Sequence, residues 1–178
     1  VMNRVLNGNA TQIDGNLWAN GHVYIINPSG IYFGGQSVVN VGALTAAAGT
    51  MTDADFLAGV DRFTGLSGTV MNQGTIQSTG AVNLIGSHVA NFGSIVVEDD
   101  LVTMLAGDEV YLSDGRSPVL IKVNQDHDDA EGTGVTNAGT IDAGGGTVVM
   151  GAADAYAVAV SHTGQARARE IEIQGEGG

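Results

Sequence analysis

A seven-residue pattern, apolar-x-Asn-x-Gly-x-apolar, returns along this 178-residue chain and restricts what it can fold into. It reads Val38-Val39-Asn40-Val41-Gly42-Ala43-Leu44, then Val70-Met71-Asn72-Gln73-Gly74-Thr75-Ile76, then Val89-Ala90-Asn91-Phe92-Gly93-Ser94-Ile95. A fourth copy is Val135-Thr136-Asn137-Ala138-Gly139-Thr140-Ile141, and a worn fifth, Val160 to Ala166, has His162 in place of Asn. Between the copies lie short strand-like runs, Val82-Asn83-Leu84, Val102-Thr103-Met104 and Val148-Val149-Met150. Asn72 to Asn91 is a step of 19 and Val82 to Val102 a step of 20. Two independent markers thus share nearly one period. Leucine-rich repeats have this length but need a leucine ladder, and propeller blades need about 40 residues. Three short strands and three corners fill about 20 residues, one coil of a parallel β-helix.

The composition suits that shape. Hydrophobic residues make up 43%, yet aromatics only 5%, and there are 28 glycines, so the core is expected to be a narrow column of small and β-branched side chains. The expected fold class is all-β: a right-handed parallel β-helix of the single-stranded, pectin-lyase-like kind, with short extra-helical excursions. Coils stack at about 4.8 Å with backbone bonds between them. Alternation then turns Val82 and Leu84, Val102 and Met104, and Val148 and Met150 inward in aligned columns. Asn40, Asn72, Asn91 and Asn137 are expected to stack as a structural ladder at one corner, beside glycines that tolerate positive φ.

Departures from the period locate the excursions. Asn40 to Asn72 is 32 residues, one coil and about a dozen more, with the excess around Thr52–Gly59. Thr52 with Asp55 is a capping-box variant and Gly59 a stop, which predicts a short helix pinned to the coils by Phe56 and Leu57. Asn91 to Asn137 is 46 residues, two coils and about eight more, and the excess fits Val123–Gly134. Arg4–Gly8 through Ile13–Leu17 is expected to supply the first coil, and Glu170-Ile171-Glu172-Ile173 alternates like a strand.

One tetrapeptide stands apart from the repeat. Asn27-Pro28-Ser29-Gly30 joins the apolar runs Val23–Ile26 and Ile31–Phe33. Asn can bond its own backbone two residues on, Pro presets φ, and Gly closes the fourth position, which together make a type I turn. Type I turns splay antiparallel strands, so a corner between coil strands is expected rather than a hairpin. Asn27, Pro28, Ser29, Gly30 and Ile31 resemble the N-P-N-G-I signature of filamentous haemagglutinin-like exoproteins, which leave Gram-negative bacteria by two-partner secretion. Ser29 stands where that signature has Asn. N-R-V-L-N-G from Asn3, A-N-G-H-V-Y from Ala19, V-N-V-G-A-L from Val39 and D-F-L-A-G from Asp55 are also similar to that family, over about Asn3 to Ala153.

The resemblance implies a secretion domain, exported through a dedicated outer-membrane β-barrel transporter to the cell surface or medium. It implies an adhesin-like parent whose other parts meet host or neighbouring-cell receptors or glycans. It further implies that the family's N-terminal capping part lies outside this chain, as does its Asn-Pro-Asn-Leu element. Residues 1–178 are accordingly expected to be a single β-helical domain, a piece of a longer secreted protein. Two other readings fit the repeat: a carbohydrate-active β-helix enzyme and a purely structural surface filament.

The remaining chemistry is sparse. There are no cysteines, which excludes disulfides and thiolate sites. Nineteen acids against six bases give a net charge of −13, which opposes nucleic acid and anionic lipid as partners. No run approaches the roughly eighteen apolar residues of a spanning helix. Asn124, Asp126 and Asp128 alternate as calcium ligands do. Asp129, however, stands where an EF-hand loop needs Gly and no bidentate Glu follows, so a solvated acidic loop is expected. His22, His88, His127 and His162 lack metal-ligand spacing, and no cofactor is expected. Gly144-Gly145-Gly146 leads into a strand, unlike a phosphate loop. Asn9-Ala10-Thr11 fits a glycosylation sequon.

Overall fold

The computed structural model describes residues 1–112, 120–122, 132–153, 156 and 158–175. Short β-branched runs punctuated by Gly and Asn wind into coils of three strands. The first coil holds β1 (Met2–Arg4), β2 (Thr11–Ile13) and β3 (Asn16–Trp18), and the second β4 (His22–Ile26), β5 (Ile31–Phe33) and β6 (Val38–Val41). The third begins with β7 (Ala43–Ala47), leaves the stack for α1 (Asp53–Ala58) and β8 (Asp61–Thr64), and returns as β9 (Thr69–Asn72) and β10 (Thr75–Ser78). The fourth is β11 (Val82–Gly86), β12 (His88–Asn91) and β13 (Ser94–Val97). The fifth opens with β14 (Leu101–Ala106), sends out β15 (Glu109–Leu112) and β16 (Leu120–Lys122), and closes with β17 (Thr133–Asn137) and β18 (Thr140–Asp142). β19 (Thr147–Ala152), β20 (Val158–His162) and β21 (Gln165–Arg167) form the sixth, and β22 (Glu170–Gly175) begins a seventh.

Three parallel sheets result. First strands pair in the order β1-β4-β7-β11-β14-β19-β22, second strands as β2-β5-β9-β12-β17-β20, and third strands as β3-β6-β10-β13-β18-β21. This is a parallel β-helix. Val23, Leu44, Val82, Val102 and Val148 face one another rung by rung. Ile25, Ala46, Leu84, Met104 and Met150 form the next column. The second sheet adds Ile31, Val70, Val89 and Val135, and the third Val39, Ile76, Ile95 and Ile141, all within the same core. Full burial of one such side chain is worth about 1.5–3 kcal/mol, so each rung secures its neighbours through packing as well as backbone bonds.

Several expectations are corrected. Asn40 is exposed on β6 of the third sheet, opposite Trp18 and Gln77, and takes no part in the ladder. Phe33 lies beneath Asn72 instead. The pattern matched at residue 40 because a different corner also demands glycine: a Cβ at Gly42 would meet the Asn20 carbonyl oxygen at 2.8 Å. The ladder-corner glycines Gly74, Gly93, Gly139 and Gly164 are not among the residues with positive φ. They are required for space, because a Cβ on each would run into the coil before it.

The outward positions of β11 and β14 are not solvated either, since Ile85 and Leu105 are fully buried. The excursions cover them. α1 has the expected caps, with the Thr52 hydroxyl accepting from Asp55 N–H and Gly59 left-handed at φ 68. Phe56 packs inward against Tyr24, ring centroids 5.3 Å apart, whereas Leu57 is 83% exposed and pins nothing. The second excursion leaves after Ala106, earlier than the expected 123–134, and its Glu109–Leu112 strand pairs antiparallel with β8.

Candidate functional site

The Asn27–Gly30 corner carries β4 into β5, from the first sheet to the second. Gly30 N–H donates to the Asn27 carbonyl at 3.0 Å, closing the turn. Ser29 N–H donates to Asn27 Oδ1 at 2.9 Å, the local bond that Asn favours. The other end of the same amide reaches out of its coil. Asn27 Nδ2 donates to the Asn9 carbonyl at 2.8 Å and to Thr11 Oγ1 at 2.9 Å, both on the first coil. Asn27 is 1% exposed, so its polar groups are used inside the protein.

The third coil grips the corner from the opposite side. Ser67 Oγ donates to the Pro28 carbonyl at 3.1 Å. Gly68 lies so close that a Cβ there would meet Pro28 O and Gly30 N at 2.5 Å. Gly30 has φ +109, a conformation other residues rarely adopt, and its space is closed by Thr69 O and the Tyr32 ring. Ile31 follows, fully buried in the core. One turn therefore ties three coils together, and only Ser29 is exposed. Asn9 and Thr11, which fitted a sequon, are the partners that the sequence did not reveal as such.

A second polar construction runs along the axis. Asn72 Nδ2 donates to Asn91 Oδ1 at 2.9 Å, and Asn91 Nδ2 to Asn137 Oδ1 at 2.8 Å. Asn137 Nδ2 meets His162 Nδ1 at 3.0 Å. Because Asn137 Oδ1 already accepts, its NH2 group is the donor and the His162 nitrogen accepts. Asn72, Asn91 and Asn137 are fully buried, where an unmet amide costs about 1–3 kcal/mol.

A third lies on the outer face of the first sheet, under the excursions. Thr103 Oγ1 donates to Asn83 Oδ1 at 2.8 Å, Asn83 Nδ2 donates to Thr45 Oγ1 at 3.2 Å, and Thr45 Oγ1 meets His22 Nε2 at 2.9 Å. His22 stacks on Tyr24, centroids 4.1 Å apart, and the Tyr24 hydroxyl donates to Asp61 at 3.0 Å. Burial lowers the His22 pKa, opposed by nearby Asp61 and aided by the N-terminal ammonium. The A-N-G-H-V-Y run thus builds the seat for the first excursion. Farther along, the Tyr156 hydroxyl donates to the Ser87 carbonyl, and burial pushes its pKa up to about 12.

Asn124, Asp126 and Asp128 lie outside the described residues, as does His127. Among the described residues, no group of three His, Asp or Glu side chains is placed to hold a metal ion.

The site is thus a set of polar clasps on a β-helix, built to fasten successive coils. The family model described as the TPS secretion domain matches residues 1–177, and the chain belongs to that family. It is a secretion domain of two-partner-secretion exoproteins, which cross the outer membrane with a partner transporter. The crystal structure of the HMW1 secretion domain from Haemophilus influenzae aligns with a TM-score of 0.77 and 27% identity, over 92% of this chain and 43% of that one. A heme/hemopexin-binding protein of H. influenzae is 32% identical over 120 residues, 64% of this chain and 13% of that protein. A second H. influenzae protein of that name is 50% identical over 44 residues, 25% of this chain and 5% of its own length. The chain therefore spans a small part of the curated relatives it matches.

Proposed function

We propose that residues 1–178 are one β-helical unit of a longer, adhesin-like exoprotein, and that Asn27–Ile31 is the element on which its export turns. In this reading the corner acts through folding. The chain reaches the outer-membrane β-barrel transporter unfolded, emerges, and forms coil upon coil, each templating the next. The observation that carries the reading is the Asn27 amide, 1% exposed and bonded to Asn9 and Thr11 of the coil before it. It joins the first two coils at the moment the second is made. Ser67 and Gly68 then close over the same turn. Backbone bonding and burial gained outside oppose backsliding without a nucleotide cofactor, and the reading calls on no catalytic group. Receptor or glycan contacts belong, in this proposal, to the rest of the parent. The heme and hemopexin binding named for the relatives is not extended to this chain.

The test is the Asn27→Ala/Pro28→Ala double variant in the full-length parent. Three lost side-chain bonds at about 1 kcal/mol each and the lost φ restriction cost about 3–4 kcal/mol together, less than the roughly 5–15 kcal/mol typical of a folded domain. Export is expected to fall strongly, with the protein retained in the periplasm, while the purified variant keeps its β signal and melts cooperatively. Wild-type export by a normally folded variant would leave Asn27–Gly30 as an ordinary corner.

A further inference from the structure

The two excursions leave from non-adjacent coils and meet above the one between them. β8 departs from the third coil and β15 from the fifth, and they pair with Phe63 opposite Val110. β11 of the fourth coil runs beneath and sends nothing out. Below this roof lies an apolar floor with one residue from each of five successive coils: Ile26, Ala47, Ile85, Leu105 and Val149. The roof supplies Met51, Phe63, Leu66 and Val110, all at most 4% exposed. At its rim Arg62 pairs with Glu109 at 2.7 Å. Arg4 of the first coil reaches up to the Met51 carbonyl at 2.8 Å and to Asp53 at 2.9 Å. The second to sixth coils thus share one apolar cluster with the roof, and Arg4 ties the first coil to the segment that carries it.

A solenoid of coils that contact only their neighbours has a stability that is a sum of local terms, and it frays from its ends. A roof resting on five coils changes that rule. No coil beneath it can open unless the roof lifts, and lifting it exposes the floor of all five. The roof also cannot form early, since β8 has to wait for β15, two coils later in the chain. We propose that the β8–β15 sheet is a strap that closes after coils three to five have stacked and converts them, with their neighbours, into one cooperative unit. Resting on the export reading for its setting alone, the strap would mark the point at which an emerging chain is committed: reversible before Leu112 is outside, locked after it.

Native-state hydrogen exchange on the purified chain tests the strap independently of export. Amides of β4, β7, β11 and β14 are expected to share one opening free energy and one denaturant dependence, while β22, beyond the floor, exchanges more easily. V110A thins the roof without touching the helix interior. It is expected to raise exchange about 10-fold or more across all four strands and to split them into coil-by-coil values. The chain has no cysteine, so T64C/E109C, at facing positions, supplies a clean cross-link. When oxidised it is expected to slow exchange in all four strands, and when reduced to release them. This second variant carries the test should V110A not fold. In refolding with pulse labelling, β7 and β11 are expected to be protected before β8 and β15. Graded coil-by-coil protection in the wild type, effects confined to β8 and β15, or protection of β8 and β15 first would each overturn the proposal.

Discussion

A methyl group on Gly93 would drive into the Gly74 carbonyl oxygen, and one on Gly139 into that of Gly93. Both obstacles are backbone, which cannot rotate aside. G93A is therefore expected to destabilise the chain by about 3 kcal/mol or more, at the severe end of single substitutions. G15A, where a Cβ meets nothing within 4 Å, is expected to stay within about 0.5 kcal/mol of wild type. Urea melts of the two variants side by side check this, and equal losses would remove the spatial explanation. The spacing of Asn and Gly was legible in the sequence at residues 72, 91 and 137 because the period repeated there. What these glycines do was not legible, since a glycine needed for left-handed backbone and one needed for room are the same letter. Asn40 misled for a related reason: two unlike corners each place Gly two residues after Asn, and only strand register separates them.

At the level of elements, the corner and the capped helix were readable from short-range chemistry, since Asn-Pro-Ser-Gly and Thr52–Gly59 carry their own turn and cap residues. The β8–β15 sheet was not. Asp61-Arg62-Phe63-Thr64 holds a single apolar residue, Glu109-Val110-Tyr111-Leu112 lies 45 or more residues away, and their partnership is set by which corner both excursions leave. That partnership also explains why Ile85 and Leu105, at outward positions of β11 and β14, are fully buried. His22 shows the cost of such a seat. Its pKa is lowered by burial from the ordinary 6.5, so below about pH 6.5 the unfolded chain takes up a proton that the folded chain resists. The His22 contribution is thus fully present above that pH and is lost as pH falls toward the folded-state value. H22Q forfeits the stack on Tyr24, about 1 kcal/mol. Its melting temperature is expected to lie below wild type at pH 7.5, with the gap narrowing steadily toward pH 5. A constant gap across that range would mean that His22 does not titrate against folding.

For the molecule as a whole, nineteen acids against six bases act on a slender stack with little interior to separate them. Self-repulsion of this kind is screened by salt. Raising NaCl from about 20 to about 300 mM, which shortens the Debye length about fourfold, is expected to lift the melting temperature by about 2–4 °C, which is roughly 1 kcal/mol for a chain of this size. CaCl2 at matched ionic strength is expected to do no more, and D128A to change nothing. A calcium-specific rise abolished by D128A would instead assign a site to the 124–128 segment.

The amide column from Asn72 through Asn91 and Asn137 to His162 has a direction. Every NH2 group points toward the later coil, and the Asn91 and Asn137 oxygens toward the earlier one, while the Asn72 oxygen, with Phe33 beneath it, accepts from Gly74 N–H of its own corner. A partly assembled stack therefore always presents the same thing at its advancing end, a donor without an acceptor. The next coil to bring an asparagine answers that demand and, by the same act, issues an identical one. Assembly at this corner has the logic of copying, in which each letter sets the template for its successor. Phe33 lies where the message has not yet started, and His162, accepting through Nδ1, is a different letter at which the copied text changes.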